Sequence, residues 1–366
     1  MKFTIQREAI LKPLQTVSGV VERRQTLPIL SNVLVDVSPT GIALTATDLE
    51  VEMKVFTPLD TPEGGRTTLP ARKFMDICRA LPEGAQLHIS VEKDRAVIKS
   101  GKSRFVLSTL PAVEFPNIEE MRPVLEFSIA QGVLKRLIER TQFAMANQDV
   151  RYYLNGLLLE VDANELRAVA TDGHRLAYCS IPNDIKIEEN HSVIVPRKGI
   201  GELQRLLSDI DMPVQVQIGT NHIRVMTNEL KFTSKLIDGR FPDYQRVIPQ
   251  NPDKLVVAER DTLRHAVQRT SILTNEKYRS IRLQLEPGTL KVLAHNPEQE
   301  EAEEEISVDY LGGGLEIGFN STYILEALAA ITDDTVELRL SDANSCCLIQ
   351  AAGDMHCKYV VMPMRL

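Results

Sequence analysis

The chain reads as an α+β protein in which one folding unit is written three times. Asp48, Asp172 and Asn296 lie 124 residues apart and close similar phrases, GIALTATD, NELRAVATD and GTLKVLAHN. Each phrase follows a helix-like stretch (Leu11–Val20, Leu134–Phe143, Leu263–Ile272) and an alternating apolar run (Asn32–Val37, Asn155–Val161, Ile281–Leu285). Each is followed by a helix opening, LPARKFMDICRAL, VPRKGIGELQRLL or FNSTYILEALAAI. Strict alternation comes next, over Leu87–Val91, Val214–Ile218 and Val336–Leu340. That period of two belongs to a half-buried strand.

The remaining elements repeat in the same order. A further strand is predicted at Ala96–Lys99, Ile223–Met226 and Cys347–Gln350, and each copy closes on a strand with a proline: SRFVLSTLPAVEFP, KFTSKLIDGRFP and YVVMPMRL. A unit of about 120 residues with two helices and about eight strands is of domain size, and its period is too long for a solenoid. The predicted domains are residues 1–124, 125–251 and 252–366, with linkers near Met121–Glu126 and Asn251–Lys254. A tripled unit builds a scaffold or a surface, since one catalytic pocket does not need three copies.

Composition narrows the class. With 366 residues, 43% hydrophobic and 25% charged, the chain has ample core. The N-terminus MKFTIQREAI runs straight into a strand and a helix, and no apolar stretch reaches membrane-span length, so a cytoplasmic location is expected. Five cysteines carry no metal spacing: Cys78 and Cys179 read as core, and the neighbours Cys346-Cys347 point to opposite faces of a strand. No cofactor, metal site or structural disulfide is expected.

Net charge is −8, against simple nonspecific affinity for nucleic acid. Bases nonetheless cluster on the helix-like segments: Lys12, Arg23, Arg24, Arg72, Lys73 and Arg79 in copy one, and Lys135, Arg136, Arg140, Arg197, Lys198 and Arg205 in copy two. Copy three has Arg264, His265 and Arg269, while its second helix holds only the acidic Glu326. Scarce aromatics and absent tryptophan argue against stacking platforms for single strands. Basic helical faces on an acidic protein suggest loose contact with duplex phosphates.

The strings RQTLPILSN, TDLE, PARKF, QDVRYYLNG, ATDGHRLA, DGRFPDY, NPEQEEAEE and the terminal YVVMPMRL span the whole chain. They resemble the bacterial DNA polymerase III beta subunit family, the replicative sliding clamps. The resemblance implies three DNA-clamp domains, each with two helices packed on antiparallel sheets, helices inside and sheets outside. Two chains would join head to tail into a ring around duplex DNA. Duplex contacts fall by resemblance on Arg24, Arg72, Gln148, Tyr152 and Tyr153, with Arg197 and Lys198 added from charge and position.

The ring ends are assigned in the same way. Copy one offers Arg95, Lys102 and Arg104, with Lys93 and Lys99, interleaved with Phe105 and Leu107. Copy three offers Ile272, Leu273 and an acidic run containing Glu298, Glu300, Glu301, Glu303, Glu304 and Glu305. Unlike patches give a heterologous contact, and two such contacts close the homodimer.

The resemblance also implies a pocket for short linear peptides of polymerases, the clamp loader, and mismatch-repair and fragment-processing factors. It matches Arg151, Leu154, Thr171, Gly173, His174, Arg175, Leu176, Pro242, Arg246 and Val247 with the tail Val360, Val361, Met362, Pro363, Met364, Arg365 and Leu366. The tail reads as exposed, with Val360 or Val361 packing in a last strand. The stretch ANSCCLIQAAGDMHCK departs from the family, and Cys346 stands where a small hydroxyl residue commonly lines the pocket.

Catalysis is the rival reading, because Asp172, His174 and Arg175 lie close together in ATDGHRLA. Asp48 and Asn296 occupy the equivalent turn without a following His-Arg, and Asp and Asn favour turns for backbone reasons. No phosphate-cradling GxxxxGK[ST] loop, HExxH or GxSxG string is present. A monomeric DNA-binding factor is the third class. It would be retained on linear DNA, where a ring slides off the ends.

Overall fold

The computed structural model describes residues 1–22, 27–60, 63–118, 121–182, 185, 187 and 189–365. The first repeat runs β1 (Lys2–Gln6), α1 (Arg7–Ser18), β2 (Asn32–Ser38), β3 (Gly41–Thr47), β4 (Val51–Pro58) and β5 (Gly65–Pro70). It continues with α2 (Ala71–Ala80), β6 (Gln86–Glu92), β7 (Arg95–Ser100) and β8 (Ser103–Ser108). The second begins with β9 (Leu125–Ala130), α3 (Gln131–Glu139), β10 (Gly156–Val161), β11 (Glu165–Thr171), β12 (Arg175–Pro182) and β13 (His191–Pro196). It ends with α4 (Arg197–Leu206), β14 (Pro213–Ile218), β15 (His222–Met226) and β16 (Leu230–Lys235). The third has β17 (Lys254–Glu259), α5 (Arg260–Thr270), β18 (Ser280–Glu286), β19 (Thr289–His295), β20 (Glu301–Ser307) and β21 (Leu315–Asn320). It closes with α6 (Ser321–Ala330), β22 (Thr335–Leu340), β23 (Cys347–Ala351) and β24 (Cys357–Val361).

The helices are amphipathic for a simple reason. α2 buries Ala71, Phe74 and Cys78, and α5 buries Leu263, Ala266, Val267 and Thr270, all at helical spacing. Each repeat's first helix begins three or four residues earlier than the apolar pattern suggests. For α5 the cause is Glu259, whose carboxylate accepts from the Asp261 and Thr262 N–H groups and caps the helix. α6 is capped by Asn320, whose side-chain oxygen accepts from the Thr322 N–H at 2.9 Å.

The strands assort into two compact units. One comprises Met1–Leu134 with Gly201–Leu236 and the other Lys135–Ile200 with Ile237–Leu366. The first unit holds a four-stranded sheet, β1-β6-β7-β8, and an eight-stranded sheet, β5-β2-β3-β4-β16-β15-β14-β9. The second holds the eight-stranded sheet β13-β10-β11-β12-β24-β23-β22-β17 and the four-stranded sheet β20-β19-β18-β21. Every strand pair named for these sheets is antiparallel among the described residues, as in Leu230↔Val55 of β16 and β4 and Cys357↔Cys179 of β24 and β12. The long sheets therefore run through a seam between consecutive repeats, which hides two edges that would otherwise be open.

Several expectations are corrected here. Glu126 and Lys254, read as linker residues, lie in β9 and β17. The tail is buried at its start beyond the one valine expected: Val360 and Val361 are both fully buried, because β24 is a central strand between β12 and β23. Cys179 and Cys357 are joined by a disulfide. The register of β12 against β24 sets them directly opposite, with Cα atoms 4.1 Å apart, a proximity no linear spacing reveals.

Candidate functional site

The site grows from the turn between β11 and β12. Asp172 Oδ1 accepts from the His174 and Arg175 N–H groups at 2.9 and 3.0 Å, and Thr171 Oγ1 donates to the Arg175 carbonyl at 2.6 Å. Gly173 sits at φ 89°, where a side chain is strained, and a Cβ there would come within 2.9 Å of Arg151 Nη1. Asp48 makes the same pair of backbone bonds, to Glu50 and Val51 at 2.9 and 2.7 Å, and Asn296 Oδ1 accepts from Glu300 at 2.9 Å. The recurring Asp or Asn is thus a turn-builder in all three repeats.

Arg175 makes the second turn different. Its Nε donates to Asp172 Oδ2 at 3.1 Å, one Nη to Glu326 Oε2 of α6, and the other to the Phe143 carbonyl at 2.6 Å. The guanidinium lies over Tyr323 at 4.5 Å and Phe143 at 5.4 Å. Glu326 is therefore the partner of Arg175, a role that only the folded chain reveals. Every acceptor of Asp172 named here is engaged in holding the turn, which leaves the Asp172–His174–Arg175 cluster poorly suited to proton transfer.

Next to this turn lies an apolar cluster built from Leu158, Val169, Leu176, Ile194, Tyr244, Leu348 and Val360. Tyr153, Tyr178, Ile237, Phe241, Ile248 and Cys346 pack on it, partly exposed. Tyr244 ends in a 2.6 Å bond from its hydroxyl to Glu160, and burial first, then that carboxylate, push its pKa up. The tail crosses nearby on alternate backbone bonds: Met362 N–H to the His174 carbonyl at 2.9 Å, and Met364 N–H to the Gly318 carbonyl at 2.8 Å. Met362 and Val247 are about two-fifths exposed, and Pro242, Arg246, His174 and Arg365 are exposed. Pro363 and Met364 are half-buried. Arg246 pairs with Asp243 at 2.8 Å. Cys346 Sγ reaches the Val247 carbonyl at 3.6 Å, and burial raises its pKa, keeping it a neutral thiol. Leu154, Thr171, Leu176, Val360 and Val361 are buried, and of these Leu176 and Val360 belong to the apolar cluster. Leu366 lies outside the described residues.

The candidate duplex contacts divide. The loop before β10 is tied by Asn155, which accepts from the Asp149 N–H and donates to the Asp149 carbonyl, both at 2.9 Å. Arg151 grips Asp149 at 2.8 Å and donates to the Asp172 carbonyl at 3.1 Å, and this hydrogen-bonded arginine lowers the Asp149 pKa to about 2. Gln148 and Tyr152 are exposed, whereas Tyr153 packs on the apolar cluster. Arg72 is exposed on α2, with Nη2 3.4 Å from the Val21 carbonyl. Arg197 donates to the Met145 carbonyl at 2.8 Å, and Lys198 is half-buried. Arg24 lies outside the described residues, as does Arg23. In the third repeat Arg264 and Arg269 are committed to acids: Arg264 to Asp261 at 3.3 Å, and Arg269 Nη2 to Glu304 at 2.7 Å.

The candidate ring ends fall on sheet edges. β8 and β20 each end a four-stranded sheet, while the opposite ends, β1 and β21, carry bridges to Glu63 and Met364. Arg95, Lys102 and Arg104 are exposed and Phe105 is half-buried. Leu107, read as an interface residue, is buried: it opposes Ala96 on the core face, and exposed Val106 points the other way. Ile272 is 77% exposed and Leu273 half-buried. Glu298 and Glu300 are exposed, and Glu303 and Glu305 share Lys291 at 3.6 and 3.5 Å.

Comparison with known proteins adds an independent line. Models of the DNA polymerase III beta subunit match in three consecutive pieces: the N-terminal domain over residues 1–119, the central domain over 128–243 and the C-terminal domain over 245–365. The chain is 60% identical to the beta sliding clamp of Pseudomonas putida and 54% identical to that of Escherichia coli, covering 100% of both sequences in each case. It also superimposes, at a TM-score of 0.97 and 59% identity over 100% of both chains, on a Pseudomonas aeruginosa DnaN sliding clamp solved bound to griselimycin.

Proposed function

Because the chain belongs to the family of DNA polymerase III beta subunits, the beta sliding clamps, we propose that two copies encircle duplex DNA in the cytoplasm and tether the replicative polymerase. The end-to-end match to beta sliding clamps carries this reading. The protein acts by enclosure and has no chemical step of its own. Its domains are residues 1–124, 125–251 and 252–366.

Physical chemistry supports each part. Contacts to phosphate are sequence-blind and labile, so exposed Arg72, Gln148 and Tyr152, with Arg24, Arg197, Lys198 and Tyr153, steady the duplex without fixing its position. Ring closure joins β8 of one copy to β20 of the other, because an open strand edge is a ready template for another strand. Ile272, Leu273 and Phe105 supply the apolar contact, and the basic and acidic strips set register and encounter rate. The cluster around Leu176 and Val360, rimmed by Met362, Val247, Pro242 and Cys346, takes the apolar side chains of short peptides from polymerase, clamp loader and repair factors. Methionine at the rim suits a site that serves many partners. Griselimycin, bound by the Pseudomonas aeruginosa relative, is the natural probe of this site.

The test is retention on DNA. Loaded by a clamp loader, the wild type should stay on nicked circular plasmid and run off once the plasmid is linearised. Ile272→Ala with Leu273→Ala should sediment as a folded monomer, weaken self-association by about a hundredfold or more, and be lost from both substrates. Equal retention on open and closed DNA, or an intact dimer in the double variant, would overturn the reading.

A further inference from the structure

We propose that Cys179 and Cys357 form a reversible oxidation site, a thiol–disulfide pair that covalently closes the seam between β12 and β24. The inference rests on the proposed function in one respect, that the tail following β24 belongs to a peptide site. Three observations point to it. The first is register. Ser180 N–H donates to the His356 carbonyl at 2.9 Å, so the next pair, Cys179 and Cys357, is a non-hydrogen-bonded one, where side chains approach most closely. Reduced, the two thiols would remain neighbours, held by the flanking ladder, and nothing in the sheet need rearrange for the bond to form.

The second observation is chemical. Arg140 Nη1 lies 3.5 Å from Cys357 Sγ. A guanidinium beside sulfur favours thiolate over thiol, and thiolate is the reactive form. At the other three cysteines burial dominates: it pushes the Cys78 pKa up to about 12 despite the nearby Arg7, and also raises those of Cys346 and Cys347. The third is location. Val360 pairs with Leu176 three residues beyond the cysteine pair, and Met362 is bonded to His174 at the end of the same seam. A cross-link here fixes the strand from which the tail departs. In a reducing compartment disulfides are typically transient, catalytic or sensing, which favours a switch over a permanent staple.

Cys179 and Cys357 are 2% and 4% exposed, so the fitting oxidant is small: a hydroperoxide, with hydrogen peroxide the simplest. Cys357 thiolate attacks one peroxide oxygen, the O–O bond breaks, and the departing hydroxide takes up the thiol's proton as water. Cys179 sulfur then attacks the resulting sulfenic sulfur, the S–S bond forms, and a second water leaves. Two thiols and one peroxide thus give one disulfide and two waters. A dithiol reductant reverses the reaction by way of a mixed disulfide.

The test uses the full-length dimer with all its native cysteines, because Cys346 lines the pocket rim. After treatment with hydrogen peroxide, alkylation of the denatured protein should find two fewer thiols than after dithiothreitol, and peptide mapping should show a Cys179–Cys357 cross-link. Griselimycin should bind the oxidised form at least about threefold more tightly than the reduced form, because the cross-link pre-orders the tail. Melting should rise by roughly 5 °C on oxidation, since the bond closes a long loop. A variant with Cys179→Val and Cys357→Leu should lose all response to peroxide. The same thiol count in both states, or a cross-link mapping elsewhere, would overturn the oxidation site. A correct cross-link with unchanged griselimycin affinity would overturn its control of the tail. Failure of both forms to bind griselimycin would instead count against the peptide-site reading, with the cross-link still judged by mapping.

Discussion

The two seams that join consecutive repeats share a backbone and differ in chemistry. β4 meets β16 with Val51↔Ser234, Glu52↔Thr233 and Val55↔Leu230, and β12 meets β24 with Arg175↔Val361, Leu176↔Val360 and Cys179↔Cys357. Both begin at an aspartate turn of the same geometry. In the first seam, the position that holds Leu176 in the second is taken by Glu52, whose pKa is raised by burial. There the chain runs on from β16 into Leu236, which donates to the Asn221 carbonyl at 2.8 Å. In the second, an apolar pair joins a larger apolar cluster and β24 releases a short tail. Duplication supplied two copies of a strand pairing, and side-chain substitution gave one of them the apolar cluster proposed above to take peptides.

Moving first-seam residues into the second is the direct way to break this contrast. Leu176→Glu should abolish griselimycin binding, weakening it by more than about a hundredfold, because a carboxylate in the apolar floor keeps its desolvation cost and gains no partner. Calorimetry measures the loss, and a retained circular-dichroism melt separates it from unfolding. Arg175→Val, the residue of the first turn, should cost about 3 kcal/mol of stability in urea titration, since it strands Asp172 and Glu326 beside a half-buried hole. The equivalent Val51→Ala change should cost about 1 kcal/mol, removing methyl groups alone.

The smallest effect sharpens the first seam. Glu52 has a folded pKa above its ordinary 4.5, so the folded state binds the proton more tightly than the unfolded chain. The stability it contributes is full below 4.5 and is lost as pH rises through the raised folded value. Glu52→Gln should therefore flatten the decline in stability between pH 4 and pH 7, as read by melting across that range; an unchanged slope would show that Glu52 is solvated in the fold.

Much of this was legible in the sequence. The spacing of Asp48, Asp172 and Asn296, and the alternation over Leu87–Val91 and its two copies, gave repeat number, helix order and strand order, because turn chemistry and side-chain period are local properties. The same locality makes Asp172 readable as a turn residue from the sequence alone. What could not be read depended on register between segments far apart in the chain. Leu107 and Val106 exchange faces with a shift of one residue, and the burial of Val360 and Val361 follows from β24 lying between two neighbours.

The linear order of residues thus determined a threefold α+β scaffold, its Asx turns and the apolar content of its tail. Tertiary pairing alone decided that Glu326 answers Arg175, that Tyr153 packs while Tyr152 stays exposed, and that Cys179 faces Cys357. The physical reason is range: propensity and periodicity act over a few residues, whereas a sheet ladder brings together groups separated by 178 positions, and their chemistry exists only once they touch.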